Sequence, residues 1–397
     1  MITVAEASRR VLESLPDFGS ETVPLAAACG RILRQTIAAE RDQPPFDRVM
    51  MDGIAVRWTG ARRFRVEATQ QAGDAPVALS DDEHCIEVMT GAVLPPGADT
   101  VVPVERISVA DGRAGLESGY EPEPGQFVHR QGSDHAAGQP LLGPGRIIGG
   151  PEVAVLASQG LADVSVGRQP AVAVVSTGNE LVGPGRPVQA HEIRASNGPA
   201  MLAMLHRQGF AACRDVHLRD DPAAMQDGLG RLLDEHQVLI LSGGVSKGKA
   251  DYVPGILSRL GVEMVFHGVS QRPGKPMWFG VRDDRLVFAL PGNPVSTLVC
   301  FRRYVLPALL AAAGLPPSPP DTAVLSRDYR FAPALTCFLP ARVGTDEQGT
   351  LTADPAPTNT SGDFTSLAGT SGFVELDRDR DRFPAGTLVP FHRWHAG

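Results

Sequence analysis

The sequence is poor in the residues that build metal cages and disulfide frameworks. Its five cysteines (Cys29, Cys85, Cys213, Cys300 and Cys337) are scattered, odd in number and never spaced as paired metal ligands, which argues against a disulfide framework or a structural zinc site. The histidines form no His-x-x-x-His pattern and no Cys/His cluster, so a transition-metal centre made of protein ligands is unsupported. A metal handled by this chain would arrive as an oxyanion or on a ligand. Positive charge is also short. The formal net charge is −8, whereas a general nucleic-acid binder needs a basic face to displace counterions, so no nucleic-acid partner is expected. No apolar run follows Met1, and no apolar stretch is both long and charge-free enough to span a bilayer. The expectation is a soluble, cytoplasmic protein with no membrane partner.

Turn-forming residues, by contrast, are abundant. With 43 glycines and 34 prolines, turns and short strands must be numerous, and a helical bundle is disfavoured. At 397 residues the chain exceeds one typical core, and about two to four domains are expected. Thr3-Val4-Ala5-Glu6 has capping-box spacing ahead of apolar positions at helical intervals, which predicts a first helix. A second helix is expected from Pro24 to Leu33. Residues 46–145 show short alternating segments and read as β-rich. Within them Asp52-Gly53 reads first as a tight turn, and Thr90-Gly91-Ala92 and Arg130 to Asp134 carry the same ambiguity.

From Pro170 the pattern changes to strands alternating with helices, from Ala171–Ser176 through Pro222–Glu235 and Val238–Leu241 to Pro294–Ala313. That alternation implies a parallel sheet with helices on both faces. Leu315 to Pro320 is a stiff proline-rich connector, and Asp321 to Gly397 reads as a small β domain. The expected fold is multidomain, α/β plus β. Residues 1–45 together with 146–169 form a linking domain, 46–145 a β-rich domain, 170–315 a doubly wound α/β domain and 321–397 a C-terminal β domain.

The stretch from Ser242 to Ser296 organises the rest. Val238 to Leu241 runs into Ser242-Gly243-Gly244-Val245-Ser246, and Val287 to Leu290 runs into Pro291-Gly292-Asn293-Pro294-Val295-Ser296. Strand ends that pass through glycine into a helix start offer unpaired N–H groups to an anion at the ligand edge of an open sheet. Gly243 to Ala250 imitates a phosphate loop but places Ala250 where Ser or Thr would hold magnesium, which disfavours a nucleoside-triphosphate site. Glu180, after the strand ending at Ser176-Thr177-Gly178-Asn179, either hydrogen-bonds a ligand, holds a hard cation or caps a loop. Asp251 reads as a helix cap or a magnesium ligand, and Asp220-Asp221-Pro222 reads first as a cap. Arg272 and Lys275, flanking Pro273-Gly274, could hold an oxyanion.

Taken in order, Ser176 to Leu181, Ser242 to Ser246 with Asp251, Arg272 to Pro276 and Leu290 to Ser296 resemble the molybdopterin molybdenumtransferase family, MoeA and the gephyrin E domain. Met51 to Val56, Met89 to Ala92, Arg130 to Asp134, Ser361-Gly362 and Ser366 to Ala368 extend the resemblance over nearly the whole chain. The resemblance implies an elongated homodimer that inserts molybdate into adenylylated molybdopterin and releases AMP, with magnesium. Glu180, Asp220 and Asp251 would line the cleft, Glu180 and Asp251 as magnesium ligands, while Asp52 and Asp134 would reach it from the partner subunit. Thr90, Thr177, Gly178, Asn179, Gly243, Gly244, Ser246, Gly292 and Asn293 would bind substrate. Arg272, Lys275, Ser296 and Ser366 would hold molybdate or phosphate oxygens. Other cofactor-biosynthesis proteins and recipient molybdoenzymes would be its protein partners. Two departures stand out: Arg272 replaces a lysine frequent in the family, and Leu335 to Pro340 lacks two family arginines. They keep a pterin-binding scaffold and a tungstate-using paralogue as alternatives.

Overall fold

The computed structural model describes residues 1–245 and 252–395. Ser246, Ala250 and Asp251, with the phosphate-loop comparison that rests on them, lie outside the described residues. The described chain divides into two compact units. The first comprises residues 1–34, 144–150 and 163–397, and the second residues 35–143 and 151–162.

Six strands form the central sheet of the first unit: β1 (Val172–Thr177), β2 (Cys213–Leu218), β3 (Val238–Ser242), β4 (Glu263–His267), β5 (Trp278–Arg282) and β6 (Arg285–Leu290). Their spatial order is β2-β1-β3-β6-β5-β4. The first four run parallel, but β5 pairs antiparallel with both β6 and β4. The sheet is therefore mixed where the alternating pattern implied a parallel one. The reason is local: Asp283-Asp284 turns the chain straight back from β5 into β6, so no helix separates them.

Side chains of β1, β3 and β6 alternate between two cores, as strands covered on both faces require. Val172, Val174, Ile240 and Phe288 face α1 (Asn197–Arg207) and the helix Pro294–Ala312. Ala173, Val175, Leu241 and Val287 face α2 (Pro222–Glu235) and α3 (Val253–Arg259). Pro294–Ala312, hereafter α4, is the one helix among the described residues long and apolar enough to cross a bilayer. It carries Arg302 and Arg303 and lies mostly inside the core, 67% of its most apolar stretch being buried.

At the N-terminus, Thr3 caps the helix Val4–Glu13 by accepting the Glu6 N–H at 3.2 Å, as the capping-box spacing predicts. The expected second helix is absent. Its span holds only a single helical turn, Leu25–Ala27, and isolated bridges from Ile32 to Ile147 and from Leu33 to Val166, and the strand Ser20–Pro24, paired antiparallel with Asp163–Gly167, leads into it. Sheet partners distant in sequence outweighed the local helical spacing. In the C-terminal part, Asp321–Leu325, Thr336–Thr345, Leu351–Pro355, Gly372–Leu376 and Leu388–Arg393 close a five-stranded barrel. One more pairing extends it: Gln271–Arg272 runs parallel to Thr336–Cys337.

The second unit holds a six-stranded sheet that includes Gly53–Val56, Arg63–Gln70, His84–Val88 and Thr100–Pro103. Asp52-Gly53 is not a hairpin turn. Gly53 opens a strand laid so close to its neighbour that a Cβ there would stand 1.9 Å from the Val102 carbonyl oxygen.

A partly buried polar knot ties α4 to the barrel and the N-terminal helix. Arg303 donates to Glu375 at 3.0 Å and to Ser8 at 2.9 Å, while His392 Nε2 lies 2.9 Å from Glu375. Burial pushes the Glu375 carboxyl up, but the hydrogen bond with His392 and the Arg303 charge outweigh it and leave the pKa below the usual glutamate value. Burial also pushes His392 down, against its hydrogen bond to Glu375. Both groups bind protons less readily folded than unfolded, so stability is complete above the ordinary histidine pKa and falls with acid. We expect the urea midpoint to hold steady from pH 8 to 7, drop below about pH 6.5 and drop further below about 4.5. Glu375→Ala, which strands the Arg303 charge, should cost about 3 kcal/mol at pH 7. A midpoint unchanged between pH 7.5 and 5 would count against this assignment.

Candidate active site

Register brings the glycine turns to one level. Ser176 pairs with Ser242, and Ser242 with Leu290, so β1, β3 and β6 end together at the carboxyl edge of the sheet. There the backbones crowd: Gly243 has φ +104° and donates its N–H to the Leu290 carbonyl at 3.1 Å. A Cβ on Gly243 would lie 2.7 Å from Thr177 Oγ1, so only glycine fits.

Asn197, at the start of α1, cross-links two of these turns. Its Nδ2 donates to Ser242 Oγ at 2.7 Å and to the Gly292 carbonyl at 2.8 Å. The Thr297 hydroxyl then donates to the Pro291 carbonyl at 2.6 Å. Asn197 Oδ1 is buried and has no hydrogen-bond partner among the described residues. Ser196-Asn197-Gly198 has the form of ordinary turn or cap chemistry, so nothing in the sequence marks Asn197.

Around this edge lies a cleft of about 730 Å³, lined by Thr177, Gly178, Glu180, Asn197, Asp220, Gly243, Gly244, Gly292 and Asn293 among others. Its volume is in the range of small-molecule sites. Glu180 is exposed, and its carboxylate folds back over Gly178, where a Cβ would meet it at 2.7 Å. The adjacent aspartates divide their duties. Asp221 caps α2 by accepting the Ala224 N–H at 2.8 Å, leaving the Asp220 carboxylate to the cleft. Asn179 accepts the Asp220 N–H at 3.2 Å and so joins the two carboxylate-bearing loops. Neither Glu180 nor Asp220 forms an ion pair among the described residues. Two uncommitted carboxylates beside hydroxyls and backbone oxygens suit a hard, oxygen-loving divalent cation.

A second cleft, about 470 Å³, contains Arg272, Lys275 and Ser296. Pro276, Pro291 and Asn293 belong to the walls of both clefts. Arg272 and Lys275 are exposed, with no carboxylate partner among the described residues. The C-terminal part adds Leu335, Phe338 and Leu339 to the lining, beside the polar Tyr329, Asn359 and Ser361. Cys337 also lines this cleft, but burial pushes its thiol up to about 12, against the pull of Arg272, so it is no thiolate at neutral pH.

One expectation about the helix start needs correction. The first amide of α4 is not an open anion donor, because Val295 N–H donates to the Ser361 carbonyl at 3.0 Å. Asn293 Nδ2 likewise donates to Ser361 Oγ at 2.7 Å. Ser366 is not in either cleft wall, and its hydroxyl donates to Asp363 at 2.6 Å.

The remaining expected residues belong to the second unit. Asp52 accepts the backbone N–H and the hydroxyl of Thr90, both at 2.7 Å, and these bonds hold its carboxyl below the usual range. Asp134 Oδ1 lies 3.0 Å from His129 Nε2.

The chain matches three family models. They are described as the MoeA N-terminal region (domain I and II) over residues 2–160, a probable molybdopterin binding domain over 173–311, and the MoeA C-terminal region (domain IV) over 322–394. It is 40% identical over 400 residues to a molybdopterin molybdenumtransferase from Synechocystis sp., covering 99% of this chain and 100% of that one. A molybdopterin molybdenumtransferase from Staphylococcus epidermidis is 30% identical over 398 residues, covering 98% and 94%. The crystal structure of the molybdopterin biosynthesis MoeA protein from Pyrococcus horikosii superposes with a TM-score of 0.82 at 30% identity, covering 100% of both chains.

Two tests follow from this geometry. Asn197→Ala should lower stability by about 1–2 kcal/mol through the loss of its buried hydrogen bonds, read as a shift in the urea midpoint. Thiol titration of the native protein at pH 8 should find one fast cysteine, the exposed Cys29. Rapid labelling of Cys337 would contradict its burial.

Proposed function

The chain belongs to the MoeA family of molybdopterin molybdenumtransferases of molybdenum cofactor biosynthesis, and from that premise we propose that it inserts molybdate into the dithiolene of adenylylated molybdopterin and releases AMP. One observation carries the reading. A cleft with two carboxylates that are uncommitted among the described residues adjoins a cleft with two cations unpaired among them, and the two share Asn293, Pro291 and Pro276. A substrate with an anhydride to cleave and an oxyanion to receive needs both kinds of surface side by side.

In this reading Arg272, Lys275 and Ser296 bind molybdate oxygens, and Ser366 would join them only by leaving Asp363. The backbones at Gly178, Gly243, Gly244 and Gly292, with Thr177, Asn179, Asn293 and Ser246, take the phosphates and the pterin edge. Glu180 and Asp220 orient the anhydride and its attacking water. Magnesium fits the oxygen donors present, with Glu180 and Asp251 as its protein ligands. When bound, it would offset the charge of the anhydride as AMP departs. Asp52, Thr90 and Asp134 would complete the site from the partner subunit of a homodimer. The two sulfurs that receive molybdenum belong to the pterin, which agrees with a Cys337 thiol held protonated. The cytoplasm is the proposed location, with recipient molybdoenzymes and other cofactor-biosynthesis proteins as partners.

The apolar part of the second cleft's lining, Leu335, Phe338 and Leu339, favours keeping a second reading, a pterin-binding scaffold or a tungstate user. The deciding experiment supplies adenylylated molybdopterin, magnesium and low molybdate, then measures AMP and pterin-bound molybdenum. Molybdate-dependent AMP release is expected, with Glu180→Ala slower by about a hundredfold or more. Lys275→Ala should raise the molybdate KM about tenfold with kcat little changed. Tight pterin binding without AMP release would favour the scaffold, and release triggered by tungstate alone would favour the paralogue.

A further inference from the structure

Arg272 and Lys275 must be held in a fixed relation although neither is anchored by an ion pair among the described residues. Backbone bonds supply part of that constraint: Gln271–Arg272 pairs with the barrel strand at Thr336–Cys337, and Val269 N–H donates to the Lys275 carbonyl at 2.9 Å. The inside of the turn rests on a buried polar chain. The Tyr304 hydroxyl donates to Gln271 Oε1 at 2.5 Å, and Gln271 Nε2 donates to Cys300 Sγ at 3.4 Å. The Cys300 thiol in turn faces the Gly274 carbonyl at 3.8 Å. Gln271 and Cys300 are fully buried and Tyr304 is 2% exposed.

We propose that Gln271, Cys300 and Tyr304 are positioning residues, a clamp that presets Arg272 and Lys275 for oxyanion capture. The proposal rests on reading the second cleft as the oxyanion site. Gly274 shows how tightly the turn sits on the clamp. It has φ +93°, and a Cβ there would lie 2.4 Å from Cys300 Sγ and 2.5 Å from Gln271 Nε2. The turn therefore lies directly against the clamp, with no room for a side chain between them.

The helix supplies the other half of the geometry. Ser296, Cys300 and Tyr304 follow one another at intervals of four along α4, and a π turn spans Phe301–Val305. Such turns redirect side chains within a helix. One helix thus carries the Ser296 hydroxyl that lines the cleft and two of the groups that fix the cations facing it. Apolar residues of similar size would fill this core at no desolvation cost, so a polar chain here indicates a need for directional bonds. Two like charges held ready in the free protein save reorganisation when a dianion binds.

The test compares Tyr304→Phe, which deletes one hydroxyl, with Tyr304→Phe/Gln271→Met, which removes both polar partners. Molybdate binding to the full-length protein is measured directly without pterin, alongside thermal midpoint and AMP release. Tyr304→Phe should weaken molybdate binding about tenfold, with kcat at saturating molybdate within about twofold of the parent. In the double variant the thermal midpoint should return toward the parent value, since no buried acceptor is left unpaired, while molybdate binding stays weak. The clamp is refuted if Tyr304→Phe binds molybdate normally, or if the double variant recovers binding together with stability. A parent protein that binds molybdate but releases no AMP would sink the transferase reading and leave the clamp judged by the binding data. A parent that binds no molybdate would remove the oxyanion cleft and the clamp with it.

Discussion

The shared register of β1, β3 and β6 is the constraint on which the site depends. Three parallel strands paired without slippage must end at one level, and each end then has to turn within a few residues. A slip of one residue in β3 would swap its two faces, burying Leu239 and Leu241 on the wrong side and moving the Gly243 turn out of line with Thr177. Hydrophobic alternation therefore sets the position of polar groups that take no part in the core. Asn197 then fixes what register alone leaves free, the lateral distance between the β3 and β6 turns. Packing determines the level, and one amide determines the spacing.

On that edge the molecule keeps opposite charges apart. Glu180 and Asp220 stand in one cleft, Arg272 and Lys275 in the other, and among the described residues none is neutralised by an ion pair. Elsewhere the chain pairs its charges freely, as in Arg303 with Glu375 or Arg393 with Asp321. Leaving four charges uncompensated is tolerable because they border water, where the penalty is modest. It is useful because each can then meet a ligand without first breaking an internal bond. The lysines are concentrated in the sequence. There are three, Lys247, Lys249 and Lys275, against 37 cationic residues in all, and every one falls between Ser242 and Ser296. A compact ammonium differs from a guanidinium in hydration and geometry, so this concentration was an available sign of a specialised stretch of the sequence.

What could be read from the sequence follows the range of the interactions involved. The helix Pro222–Glu235 begins and ends where Pro222 and the apolar spacing place it, and Asp221 caps it, because capping and periodicity act within a few residues. The glycine turns and the carboxylates beside them were legible for the same reason. Ser20–Pro24 was not, since its strand partner lies at Asp163–Gly167 and no local pattern records that pairing. Nor was the reversed strand Trp278–Arg282, whose Gly280 weakens a strand pattern yet is required where a Cβ would strike Trp278 at 2.3 Å. The bridging of Asn197 and the clamp beneath Gly274 depend on contacts across distant segments, which a single sequence cannot display.

The second cleft is lined in part by the barrel, which also anchors the turn that carries its cations. The strand at Thr336–Cys337 accepts Gln271–Arg272 as an added partner, so the cationic turn is part of the barrel sheet as well as of the loop before β5. Leu335, Phe338 and Leu339 make the barrel's contribution to the cleft lining partly apolar. An oxyanion that fills the cleft would displace part of the water bordering Arg272 and Lys275 in the free protein, and their attraction to it would grow accordingly. Arg272 and Lys275 are the only cationic residues in the described lining of this cleft, which makes their exact placement the more consequential.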